Sequence, residues 1–160
     1  LVSQIYYRDE SLQFYPFPTV SGGAVTSLSS SKQDTDQYGA KLTLNSKPLD
    51  GLQLTWGVDA DHETFTANQM FFDLAKSSAS GGLNNQSIYT TGRYPGYDIT
   101  NMAAFLQSSY DLNDLFTLSG GMRYQYTRNS GDDIVGYAQQ QGIAKGTGSW
   151  ADAIPGGTTD

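Results

Sequence analysis

The sequence predicts an all-β protein, an antiparallel segment of about five long strands from the wall of a transmembrane β-barrel. Three observations point there. Apolar and polar residues alternate with a period of two, so that each run presents one apolar and one polar face. Long and short connections between the runs follow one another in strict turn. The runs, about 13 residues each, are also longer than the roughly 5–6 residues usual for strands of soluble domains.

The first strand is expected over residues 1–15, where Ser3, Ile5 and Tyr7 oppose Val2, Gln4, Tyr6 and Arg8. Pro16 and Pro18 carry no amide donor and are expected to stop ladder pairing. Residues 16–32 are rich in Gly, Ser and Thr and read as a loop. A second strand, 33–47, puts Tyr38, Ala40, Leu42 and Leu44 on one face. Pro48-Leu49-Asp50-Gly51 is a short turn, with glycine available for positive φ. The third strand, 52–65, sets Leu52, Leu54, Trp56, Val58 and Ala60 against Gln53, Thr55, Gly57, Asp59 and Asp61.

Residues 66–97 lack sustained alternation and form a connection long enough to be functional. A short helical turn is expected within Gln69–Lys76. The fourth strand, 98–110, is apolar on both sides near its middle, and Met102, Ala104 and Leu106 are taken as one face. A four-residue turn, Asp111–Asp114, leads to the fifth strand at 115–128. There Phe116, Leu118, Met122, Tyr124 and Tyr126 share a face that ends in two tyrosines, as at a headgroup girdle. Residues 129–160 read as a third long loop with no returning strand.

Long loops at one end and short turns at the other are the asymmetry of outer-membrane barrels, whose extracellular loops are long and periplasmic turns short. A strand of about 13 residues is roughly 43 Å long and, tilted by about 40°, rises roughly 33 Å, enough for an apolar band of about 25 Å. Five strands cannot close a barrel that needs at least about eight, so the segment is expected to belong to a larger one.

Composition narrows the function. Among 160 residues there is no Cys, and the net charge is −7, which argues against nucleic acid as a partner. No run of about 18 apolar residues offers a transmembrane helix. Alternation begins at Leu1, so no signal peptide is read. Asp59, Asp61 and Glu63 form a carboxylate row, read as the polar lining of a lumen because no nucleophile accompanies it. With no nucleophile or partner set beside these carboxylates an enzyme is not expected, and because His62 is the single histidine neither is a His-based metal site.

Four runs carry a more specific likeness: SSSKQDTDQYGAKLTLN (29–45), the stretch 52–114 that opens LQLTWGVDADHETF, LSGGMRYQYT (118–127) and ADAIPGGTTD (151–160). Together they resemble the TonB-dependent siderophore receptors of bacterial outer membranes, in particular those for ferric aerobactin. The resemblance extends over loops as well as strands. It implies a 22-stranded barrel around an N-terminal plug, which these residues do not include, and import of an iron chelate driven through TonB. It also implies outer-membrane lipid around the barrel and leaves the long loops open to bacteriocins or phages.

Ferric aerobactin is anionic, so such a receptor needs cations and hydrogen-bond donors at its outer mouth. Arg93, Tyr94 and Tyr97, in TGRYPGYD, stand where the longest loop rejoins its strand. Arg offers a planar fork to carboxylates and Tyr adds a donor on a rigid ring. They are the first ligand-binding candidates, followed by Tyr89 and Arg128. Gln69, Met70, Phe71 and Phe72 read first as a small loop core. Iron arrives inside its chelator, so no cofactor or direct metal ligand is expected. The competing readings are a passive porin or adhesion barrel, and a soluble carbohydrate-binding β-sandwich. An upstream plug excludes the porin or adhesion barrel, and a requirement for detergent excludes the soluble sandwich.

Overall fold

A computed structural model describes residues 1–150 and 153–160. They form one antiparallel sheet. Its long strands are β1 (Val2–Gln13), β3 (Ala24–Leu49), β4 (Leu52–Phe72), β5 (Ser87–Asn113) and β6 (Phe116–Gly131). They lie in the order β1-β3-β4-β5-β6, with a two-residue β7 (Thr158–Thr159) beside β6. A short β2 (Phe17–Ser21) continues the line of β1 along β3. Two helices, α1 (Leu74–Ala79) and α2 (Tyr137–Ala144), sit in the long connections.

Register turns the period-two pattern into two continuous faces. On one face, Ile5, Ala40, Ala60, Met102 and Tyr126 are successive cross-strand partners. So are Leu44, Trp56, Leu106 and Met122. This sheet face is uncovered in the segment, with Val58, Met102 and Tyr124 all exposed. Between the Tyr110–Leu118 pair and the Thr100–Arg128 pair, β5 rises about 33 Å along its length, or about 25 Å at a 40° tilt. That is the height of a hydrocarbon core.

The opposite face is polar and crossed by side-chain links. Arg123 forks onto Asp59, Asn101 Nδ2 donates to Asp61 at 2.9 Å, and Thr127 donates to Asn101 at 2.8 Å. Gly57 is buried here because Phe105 leans over it, and Tyr6 covers Gly39 in the same manner.

Several expected boundaries move. Residues 16–32 are not a loop. They form the β2–β3 hairpin, closed by Gly22 and Gly23 at φ +60° and +79° between Ser21 and Ala24. Two adjacent positive-φ residues are what a two-residue hairpin turn demands. Pro16 and Pro18 do not end pairing with β3 either, because an edge strand tolerates a missing donor. The 66–97 connection shrinks from both sides: β4 runs to Phe72 and β5 begins at Ser87. Gln69–Phe72 therefore stay extended, and the helix begins only after Asp73, whose carboxylate accepts from Lys76 N at 3.1 Å.

The Asp111–Asp114 turn tightens to Asp114 and Leu115. Asn113 Oδ1 accepts from the amides of Leu115 and Phe116 at 2.9 and 3.0 Å. Residues 129–160 contain α2 and β7, which pairs Thr158 and Thr159 with Ser130 and Asn129. One physical reason covers these shifts. Strand pairing runs on beyond the apolar band, where water or loops meet both faces and no alternation of hydrophobicity marks it.

Candidate ligand-binding site

The long-loop end of the sheet is held together by the extension of β3, β4 and β5 beyond the apolar band. Phe71 and Ala67 are buried within it, and Gln69 Nε2 donates to Ser29 Oγ at 3.0 Å. The β4–β5 ladder shifts register twice around Ala67, leaving Arg93, Pro95 and Gly96 without cross-strand partners. Pro95 has no donor for the ladder. The carbonyl of Gly96 instead accepts from Asp132 N at 3.0 Å, which ties the segment after β6 onto β5. Helix α2 then packs against β5 where β6, ending at Gly131, leaves its edge unpaired.

Three small groupings of candidate residues result. The Arg93 guanidinium lies 5.4 Å from the centroid of the Tyr94 ring, and Tyr94 is half exposed. Tyr97 stacks on Phe65 at 4.9 Å and donates to Glu63 at 3.2 Å. Burial, and secondly the Glu63 carboxylate, raise its phenol above the ordinary value, so Tyr97 stays a donor at neutral pH. Tyr89 stacks on Phe71 at 4.7 Å, with Lys145 Nζ 5.0 Å from its centroid.

Arg128 is set apart from these three. It pairs with Thr100, itself opposite His62, and so belongs to the rows of the apolar-band face. Its Nε is 3.6 Å from the Asp160 carboxylate, which also accepts from Tyr126 at 2.8 Å. The residue that sequence reasoning missed is Lys145, a second cation against a candidate tyrosine. It follows a Gly- and Gln-rich stretch with no periodicity to draw attention to it.

The carboxylate row is fully engaged across the sheet: Asp59 with Arg123, Asp61 with Asn101, Glu63 with Tyr97. Among the described residues, no group of three or more His, Asp or Glu could hold a metal ion. His62 lies between Thr100 Oγ1 at 2.8 Å and Thr64 Oγ1 at 3.3 Å, with Tyr38 alongside. The chemistry on offer is therefore cations and phenols carried on aromatic surfaces, suited to an oxygen-rich anion.

Comparison with known proteins defines the class. Residues 2–151 match the TonB dependent receptor-like, beta-barrel family, and the chain belongs to it as a stretch of outer-membrane barrel wall. Among individual proteins, the ferric aerobactin receptor of Klebsiella pneumoniae is 73% identical over 100% of this chain and 22% of its own length. That of Escherichia coli is 73% identical over 96% of the chain and 21% of its own. The rhizobactin receptor of Rhizobium meliloti (strain 1021) is 43% identical over 98% of the chain and 21% of its own. The chain thus spans about a fifth of the curated relatives it matches. No solved structure matches it significantly.

Proposed function

We propose that this chain is part of an outer-membrane importer for ferric aerobactin or a similar hydroxamate or citrate siderophore. The observation that carries the proposal is the 73% identity to two ferric aerobactin receptors over 96–100% of the chain. Barrel walls diverge with little constraint beyond the alternation of faces, so identity this high across nearly the whole chain supports a shared ligand.

In this reading the long-loop end faces outward, and the apolar band sits in lipid. The ligand is the iron chelate itself, with no protein atom bonded to iron. Arg93 offers a carboxylate clamp at the mouth, with Tyr94 as its aromatic support. Tyr97 and Tyr89 contribute hydrogen-bonding and stacking surface, Lys145 adds positive charge beside Tyr89, and Arg128 marks the outer rim. Energy for import arrives through a plug and TonB, and bacteriocins or phages are further users of the outward loops.

The test is a titration of the full receptor with ferric aerobactin, together with iron uptake in cells with and without TonB. Micromolar or tighter binding and TonB-dependent uptake are expected. A full receptor that ignores ferric aerobactin, or uptake indifferent to TonB, refutes the reading.

A further inference from the structure

We infer that the long-loop end also carries a saccharide-binding groove, centred on Trp150 and sharing only the Tyr94 ring with the proposed siderophore clamp. Two hollows, of 380 and 630 Å³, lie on either side of Trp150, Asp132 and Asp133. The first runs between β5 and α2 and is floored by Asn68, Thr90 and Gln140. The second continues over Ser130, Gly157 and Thr158. The two hollows share Trp150, Asp132 and Asp133 as a common wall.

Its chemistry selects the ligand class. Among the described residues, neither hollow is lined by Lys or Arg, while Asp132 and Asp133 line both. The two carboxylates disfavour an anion such as a ferric hydroxamate or a phosphate beside Trp150. What remains is a floor of hydroxyls, amides and exposed backbone beside two aromatic rings, Trp150 at 55% and Tyr94 at 51% exposure. Large aromatic surfaces left half bare beside carboxylates suit a neutral sugar. Its C–H face covers the ring, and its hydroxyls donate to Asp132 and accept from amide groups.

The backbone holds the groove in shape without a ligand. Asp132 N donates to Gly96 O, and Asp133 Oδ1 accepts from Gly156 N at 2.7 Å. Ile134 and Ile154 exchange hydrogen bonds at 2.9 and 2.7 Å, so the two sides of the second hollow are one clamped unit. Gln140 Nε2 is anchored on Val135 O at 3.1 Å, which fixes the helix that walls the first. Preorganisation of this kind lowers the ordering cost of binding.

A neutral glycan could come from lipopolysaccharide of the same membrane or from free polysaccharide, and the two are separable. The full receptor is refolded into lipopolysaccharide-free vesicles. It is then titrated with delipidated, dephosphorylated core oligosaccharide and with maltohexaose, read by saturation-transfer NMR and tryptophan fluorescence. At least one glycan is expected to bind, and which of them does so assigns the source. Trp150→Ala is expected to weaken that binding about tenfold or more while the ferric aerobactin titration stays unchanged. Asp132→Asn, which preserves shape, carries the same test should Trp150→Ala fail to fold. Absence of binding by both glycans, or binding equally tight in these variants, overturns the inference.

Discussion

Arg123 on β6 and Asp59 on β4 are separated by a whole strand, yet the guanidinium meets both carboxylate oxygens at 2.9 Å. Ala103 on the intervening β5 is buried at 8% exposure, small enough to let the pair close over it. The link staples three strands from the polar face. Because Arg123 is open to solvent, the effect is modest and screened by salt. Asp59→Asn in the full receptor is expected to lower the denaturation midpoint slightly at low ionic strength. The difference from wild type should vanish in molar salt, and a difference that survives salt would mean packing, not charge, is at stake.

A second expectation concerns Gly57. A methyl group there would collide with the Leu42 carbonyl oxygen and stand 2.8 Å from Phe105 Cζ. Overpacking of this kind costs about 1–3 kcal/mol. Gly57→Ala is expected to destabilise the folded barrel by that amount, and Gly57→Val to block assembly, scored by heat-modifiable mobility on gels. The double variant Gly57→Ala with Phe105→Leu should recover part of the loss, since it removes one of the two obstacles.

The two faces predict opposite tolerances. Ala104 lies mid-band on the apolar face, between Val58 and Tyr124, whereas Gln125 belongs to the polar one. Ala104→Arg is expected to cost about 2–4 kcal/mol in lipid vesicles, as for a charge at the bilayer midplane. Gln125→Arg is expected to be close to neutral. Equal costs would mean that the face assignment is wrong.

Arg93 stands apart in the site because it has no cross-strand backbone partner and, among the described residues, no carboxylate partner. Removing a charge-assisted hydrogen bond typically costs about 1.5–3 kcal/mol, or roughly tenfold to a hundredfold in affinity. Arg93→Ala is expected to weaken ferric aerobactin binding by that factor in equilibrium titration, with the melting temperature unaffected. Unchanged affinity removes Arg93 from the proposed clamp.

Much of the wall was legible from residue alternation, and the places where reading stopped share a cause. Leu42, Val58, Ala104 and Tyr124 announce a strand pair by pair because one side of each strand meets hydrocarbon. Ser27–Lys32 also pairs, with β2 or β1 on one side except at Ser30 and Ser31 and, from Leu28 onward, with β4 on the other. Its residues are nearly all polar, so no alternation marks it. The Gly22-Gly23 dipeptide was the available sign of the hairpin, and the glycine- and serine-rich composition around it hid that sign.

The candidate site divides in the same way. TGRYPGYD could be singled out from residue chemistry and from its place beside a long connection. Lys145 against Tyr89, and Trp150 beside Asp132 and Asp133, join residues far apart in a stretch without periodicity. What the sequence by itself determined is the wall: which residues face lipid, which face the lumen, and where the short turns fall. These follow from the two-residue repeat of an extended chain between two solvents. Only the tertiary structure decided how far the strands climb above the membrane, which cation meets which ring, and that α2 covers the open edge of β5. Those depend on register shifts and long-range hydrogen bonds, which leave no local pattern in the order of residues.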